Sequence, residues 1–584
     1  MRTTRLAATV FIALLLWSGS ARPQSFGKNK VQYDHFDWSY LSAEHFDVYF
    51  YAGAEPLARR AAYLAEQAYA KISRDLAYEL KTRVPVIVYI SHNHFEQTNV
   101  ILELVQEEVG GFTELFKNRV VVPFEGSWES FRHVLHHELT HAVTFDMLYG
   151  NALESLVSRQ YLFQLPLWFA EGLAEYESHP WSAESDMFIR DAVISDYLPP
   201  IDQIQGGYIV YTGGHSIFRF LADTYGADKI GELLRKTAAS KNVGQSLRLV
   251  TGLDMDEFSK KWQKALRRTY WPEVGRRQEA EDFAERLTDH KAQYSYLNYA
   301  PSFSPQGDKI AFLSDRDGFV SIYLMSALDG RILRKLAQGE TESKFEEMHW
   351  RRGAIGWSPD GKKIVFAAKA GARDALYIQR VEDGSIQQRL AFDLDAVSSP
   401  DWSPDGSRIV LVGLKDAASD LYSVEIATGR IERLTDDLFD ETAPEWSPDG
   451  ERIAFASDRA AGDQELDLDT LGRAYNIWTV RPDGTGLTRV APSSADQRAP
   501  TWSPDAQQIA FISDQNGIYN LFVAHPDSLR AYPITDALTG CFSPDWSPDG
   551  GKMAFVRHSV VYRSANRAES DMLTAVKLTR SRNW

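Results

Sequence analysis

Hydrophobic and polar positions follow two different rhythms along the chain. In the first half, His45–Tyr51 (HFDVYFY) alternates like a half-buried strand, whereas the run from 55 to 80 repeats its apolar residues at helical spacing and reads as a long amphipathic helix. Val84–Ser91 (VPVIVYIS) and Asn118–Phe124 (NRVVVPF) are β-rich runs. Helical periodicity then predicts helices over about 128–149, 152–162, 167–177, 209–225, 227–239 and 254–270. Strands followed by helices indicate an α+β unit. Trp271-Pro272 is expected to close its last helix, because proline cannot continue the hydrogen-bond ladder. The charged, weakly patterned stretch beyond it reads as a linker. These boundaries give an N-terminal domain over 30–272 and a linker over 273–283.

From residue 300 the rhythm becomes a repeat. Ser-Pro pairs begin at 304, 358, 403, 447, 503 and 547, so the intervals are 54, 45, 44, 56 and 44 residues, the length of a four-stranded propeller blade. Each pair opens a turn of the type S-P-D-G: proline presets φ, aspartate bonds its own backbone, and glycine accepts positive φ. A strand of the type KIAF follows, and the aromatic before each pair (Phe303, Trp357, Trp402, Trp446, Trp502, Trp546) is placed to pack between blades. These repeats resemble those of TolB-type propellers over nearly all of 285–584, within a domain expected over 284–584. That resemblance implies an all-β, six-bladed propeller. Ala284–Asp289 (AERLTD) matches Ile431–Asp436 (IERLTD) at the end of a blade, so it is expected to complete the last one and close the ring. The fold class is therefore multidomain: an α+β unit, then a propeller.

Composition narrows the functional classes. A net charge of -17 and pI near 5.4 argue against a nucleic-acid binder. Arg2 and Arg5, the apolar run over 6–17 and the small residues Ser18–Ala21 have the layout of a cleavable secretory signal over 1–21. Its apolar core is short for a membrane span, and no other run approaches that length. The protein is thus expected outside the cytoplasm, in a bacterial periplasm or secreted. Cys541 is the single cysteine, so no intramolecular disulfide can form.

Candidate chemistry lies in the first half. His137-Glu138-Leu139-Thr140-His141 falls inside a predicted helix, which puts both imidazoles on one face within reach of one metal ion. Glu138 beside them suits proton abstraction from water. Ser127 is a plausible N-cap for that helix. A second predicted helix, in Leu165–Tyr176 (LPLWFAEGLAEY), carries Glu171 and Glu175 one turn apart. H-E-x-x-H followed by W-x-x-E-G-x-A-x-Y resembles the gluzincin metallopeptidases, a zincin-like fold. The resemblance implies one catalytic Zn2+ held by His137, His141 and Glu171, with Glu175 behind the ligands holding a histidine. Helix spacing alone leaves the reverse assignment of the two glutamates open.

In such sites a tyrosine or histidine often stabilises the developing oxyanion. Tyr211 is the candidate here, with Tyr208 and His215 behind it, and aromatic packing at a helix start is the competing account. His133, one turn before His137, could approach the site, whereas His136 points about a quarter turn away; His92 and His94 read as surface residues. The run 119–124 fits an edge strand that takes up an extended substrate, and equally an ordinary buried strand. Asp463, Glu465, Asp467 and Asp469 alternate as Ca2+ ligands can, or as a solvated loop does.

Two functions remain. One is an exported zinc metallopeptidase acting on a peptide or protein, with the propeller docking substrate or a protein partner. The other is a non-catalytic periplasmic scaffold with a metal-stabilised N-terminal domain. A propeller-associated serine peptidase is excluded, since the chain has no G-x-S-x-G elbow.

Overall fold

The computed structural model describes residues 32–577, apart from 102–104, 116, 151–163, 290–294, 296, 340–344, 460–473, 559–561, 564–566 and 569–570. The expected signal segment 1–21, the helix over 152–162 and the acidic run 463–469 lie outside the described residues.

The first domain is built on a five-stranded sheet of order β1-β2-β3-β5-β4: β1 (Trp38–Ser42), β2 (Phe46–Tyr51), β3 (Val84–Tyr89), β4 (Phe112–Glu114) and β5 (Arg119–Pro123). The three inner strands run parallel, Val86 lying beside Val48 and Val120, while β1 and β4 are antiparallel additions at the two sides. Of the two readings left open for the run 119–124, the structure takes the interior one, because β4 occupies its second side; the free edge beside the helical lobe belongs to β4.

Five of the domain's helices position the site: α1 (Glu55–Leu76), α2 (Trp128–Tyr149), α3 (Leu167–Ser178), α4 (Ile209–Tyr225) and α5 (Met255–Val274). Ser127 caps α2, its hydroxyl accepting from the Ser130 N–H at 3.2 Å. α5 runs through Pro272 rather than stopping there; in a last turn proline forfeits a single ladder bond while its fixed φ still suits the helix. Phe46, Phe124, Trp128, Leu139, Phe169 and Trp262 are buried between these helices and the sheet, each contributing about 1.5–3 kcal/mol. α3 crosses α4 at a glycine pair. A Cβ on Gly172 would stand 2.3 Å from the Gly214 carbonyl carbon, and one on Gly214 would stand 2.3 Å from the Trp168 oxygen. Backbone contact at that point sets how deeply α3 carries Glu171 into the domain.

In the second domain six blades were expected; among the described residues five are built from consecutive strands, and the remaining four-stranded sheet is composite. It takes Cys541–Trp546, Lys552–His558 and Asp571–Lys577 from the C-terminal end and its outer strand from β6 (Ala284–Arg286), Thr574 pairing with Arg286. The expected closure by 284–289 is thus made by β6. In the repeated turns, Ser403 bonds Asp405 at 2.6 Å and Gly406 has φ 76°. Trp357 donates its indole N–H to Ser302 and Trp502 to Glu445, each in the preceding blade.

The domains dock through contacts distant in sequence. Asn93 donates to Asp374 at 3.0 Å, and the Tyr475 hydroxyl meets Ser127 Oγ at 3.3 Å. Met187 packs among Tyr519, Cys541 and Phe555, and Arg277 holds Asp536 at 2.8 Å. Between them a cavity of about 2220 Å³ remains, walled by α2 and α3 on one side and by the propeller's inner strands on the other.

Candidate metal centre

α2 presents His137 and His141 one turn apart, and α3 brings Glu171 against both. The Nε2 atoms of the two imidazoles lie 3.2 Å from each other, and each lies 3.2 Å from Glu171 Oε2. Hydrogen bonding accounts poorly for such a triangle, since a single Nε2–H cannot point at both the other ring nitrogen and the carboxylate oxygen. A cation at its centre satisfies all three. A tetrahedral zinc with bonds of about 2.0–2.1 Å separates its ligand atoms by about 3.3 Å, and two imidazoles with one carboxylate oxygen are a donor set that zinc accepts, so the residues fit the ion.

The surrounding charges agree. Burial works to raise the Glu171 carboxyl, but the His141 and His137 imidazoles outweigh it and hold the group well below the usual carboxylate range. Glu175 is held down in the same way, against its burial, by His133 and His137. It lies outside the triangle: Glu175 Oε1 faces His137 Nδ1 at 3.0 Å, on the ring edge opposite Nε2. A carboxylate there fixes the tautomer that leaves Nε2 free to bind a cation.

Glu138 takes a different partner. Its Oε2 accepts the Thr113 hydroxyl at 2.7 Å, and the same hydroxyl lies 2.8 Å from the Glu138 carbonyl oxygen. Thr113 belongs to edge strand β4, so the free sheet edge and the candidate base are physically joined. Tyr211 lies on the cavity wall with its ring 6.1 Å from that of His137. Burial, then the charges of Glu171 and Glu138, push its phenol far above the ordinary tyrosine value, so it stays protonated.

The remaining histidines divide. His133 approaches Glu175, at 3.6 Å. His136 is buried, apart from the triangle, and pushed down to about 3 chiefly by burial. His215 is likewise buried, its ring standing edge-on to His179 and Trp181. The surface reading of His92 and His94 is corrected. His92 Nδ1 meets Glu125 at 2.7 Å and His94 Nδ1 meets the Tyr51 hydroxyl at 2.7 Å, both half-buried where the first domain faces the propeller. Tyr208 stands beside Tyr211, rings 6.2 Å apart. Thr113 was not identified from sequence, and no local signal marks it: it lies 25 residues from Glu138 on a three-residue strand.

Comparison with known proteins agrees with this division. Residues 64–268 match the family model of the Peptidase MA superfamily, and residues 354–472 match that of the TolB beta propeller domain. The chain thus carries a Peptidase MA superfamily domain followed by a TolB β-propeller. An uncharacterised protein of Bacillus subtilis strain 168, YhcO, is 23% identical over 205 residues, which cover 32% of this chain and 59% of that protein. The chain therefore spans little more than half of that relative. Among solved structures, a putative TolB from Agrobacterium tumefaciens aligns with 22% identity over 49% of this chain and 91% of its own, at a TM-score of 0.36. TolB from Acinetobacter baumannii aligns with 18% identity over 56% and 71%, at a TM-score of 0.33. Among the described residues no helix is long and apolar enough to cross a membrane.

Proposed function

We propose that this chain is an exported zinc-dependent peptidase whose propeller walls its active site. The observation that carries the reading is the His137, His141 and Glu171 triangle, with its 3.2 Å edges, opening beside Glu138 into the interdomain cavity. His137, His141 and Glu171 would hold the ion. When bound, it acts as a Lewis acid that acidifies water and polarises the scissile carbonyl.

The protein's own residues supply the rest. An extended substrate adds to the free edge of β4, which sets the scissile bond beside Thr113 and Glu138. Glu138 takes the proton of the attacking water as its oxygen bonds to the carbonyl carbon. The same glutamic acid returns that proton to the amide nitrogen, the C–N bond breaks and the amine leaves. Thr113 fixes the Glu138 carboxylate during both transfers. Tyr211, kept protonated, donates to the oxygen on which negative charge develops. Glu175 keeps the His137 ring oriented throughout.

The propeller's inner strands face this chemistry, so they select what reaches it, and a protein partner would dock on its other faces. Export is supported by the basic-apolar-small pattern of 1–21 and by the TolB-like domain. The test is metal content together with cleavage of a peptide library. Glu171→Ala is expected to lose the zinc of this centre and hydrolysis together. A Glu171→Ala protein that keeps both at wild-type level would sink the assignment. Stoichiometric zinc with no cleavage by the wild type would instead favour the non-catalytic scaffold.

A further inference from the structure

The helix pair that carries the metal centre repeats its donor pattern one turn further along. On α2, His133, His137 and His141 stand at successive turns of one face. On α3 and its C-cap, Glu171, Glu175 and His179 do the same, in the opposite direction. The first rung is His137, His141 and Glu171. The next is His133, Glu175 and His179: Glu175 Oε2 lies 3.6 Å from His133 Nε2 and 3.4 Å from His179 Nδ1, and the three donor atoms lie within 4.8 Å of one another.

The two imidazoles of this second rung are tilted 56° to each other with ring centroids 4.3 Å apart. His133 Nε2 and His179 Nδ1 are both buried, and neither makes a hydrogen bond. A buried ring nitrogen without a partner costs about 1–3 kcal/mol, and two of them converging on one carboxylate oxygen is a costly arrangement unless something sits between them. His179 is held in place by the edge-on ring of His215 behind it, at 5.2 Å. All three donors border the interdomain cavity, which gives an ion a route of entry.

We propose that His133, Glu175 and His179 form a second divalent-cation site, separate from the His137, His141 and Glu171 centre. Two imidazoles and one carboxylate oxygen suit zinc or a similar transition metal, not the all-oxygen preference of calcium or magnesium. The two sites share no ligand, and Glu175 links them. Glu175 Oε1 faces His137 Nδ1 at 3.0 Å while Oε2 faces the second site. The whole His137 ring and the Glu175 carboxylate lie between the two positions, so this is not a paired hydrolytic centre with ions about 3.5–4 Å apart. Its ion anchors Glu175 and, through Glu175, the His137 ring; that coupling alone rests on the reading of the first centre.

The experiment counts metal. The full chain is stripped with a chelator, dialysed against Zn2+ and analysed for bound zinc, with a thermal melt to confirm folding. Wild type is expected to hold two equivalents, and His133→Ala, His179→Ala and His141→Ala one each. If His179→Ala does not melt cooperatively, His179→Gln carries the same expectation. Two equivalents retained in both His133→Ala and His179→Ala overturn the second site. One equivalent in wild type that His141→Ala removes also overturns it and leaves the peptidase reading standing. One equivalent that only the His133 and His179 variants remove supports the second site and removes the first.

Discussion

Glu138 differs from the other carboxylates around the centre in having a hydroxyl as its partner, with Thr113 Oγ1 at 2.7 Å. A hydrogen bond to a charged group is worth about 1.5–3 kcal/mol, enough to hold a base in one rotamer. Thr113→Val is therefore expected to lower kcat about tenfold or more with little change in KM, and Thr113→Ser to restore it. Steady-state kinetics on a cleaved peptide decide this; a rise in KM at unchanged kcat would show that Thr113 binds substrate instead. The two histidines were legible in sequence because helical spacing puts them on one face, and Glu138 because it adjoins them in the motif. Thr113 was not, because a strand edge joins it to the helix only after folding. Local legibility has a counterpart in the propeller turns. Ala506 occupies the position where Gly307, Gly361, Gly406, Gly450 and Gly550 stand, and it adopts φ 58°. Ala506→Gly should relieve that left-handed strain and stabilise the protein by about 0.5–1 kcal/mol, read as a higher denaturant midpoint.

At the scale of elements, periodicity located most helices but not their partners. The run 209–225 was bounded as found, whereas Ala183–Ile194 was missed, since its inward face mixes Met187 and Phe188 with the buried Arg190, paired to the half-buried Asp186, and blurs the apolar stripe. The strand 119–123 was legible, but not that β4 would cover it, because three residues carry too little pattern to announce a strand. The α3–α4 crossing shows what such packing controls. Gly172 follows Glu171 directly, and its contact with Gly214 admits no side chain. Gly214→Ala is expected to force the helices apart, costing about 1–3 kcal/mol or more, and to weaken zinc retention by displacing Glu171. Unfolding curves and metal content measure both. Lost stability with zinc retention intact would separate the crossing from the site.

The arrangement of the two domains was not legible at all, because it rests on pairs such as Asn93 with Asp374, brought together from opposite halves of the chain. The same interface carries a pH dependence. Burial disfavours the charged form of His349, but Asp374 at 2.8 Å, with Glu107 and Glu347, outweighs it and raises the group to about 10. A raised imidazole contributes its full stability below the unfolded value near 6.5 and loses it as pH rises through about 10. Melting temperature should therefore fall between pH 7 and 10, with a shallower fall in His349→Gln; an equal slope in the two proteins would remove His349 as the cause. The interface matters because it sets the propeller across the cavity from the centre, so that both domains line one site. The most direct test of that site is Glu138→Gln in the full chain, with zinc content and peptide cleavage measured on the same preparation. Zinc content is expected to match wild type while cleavage falls by at least about 100-fold. Cleavage by Glu138→Gln at the wild-type rate would contradict the account.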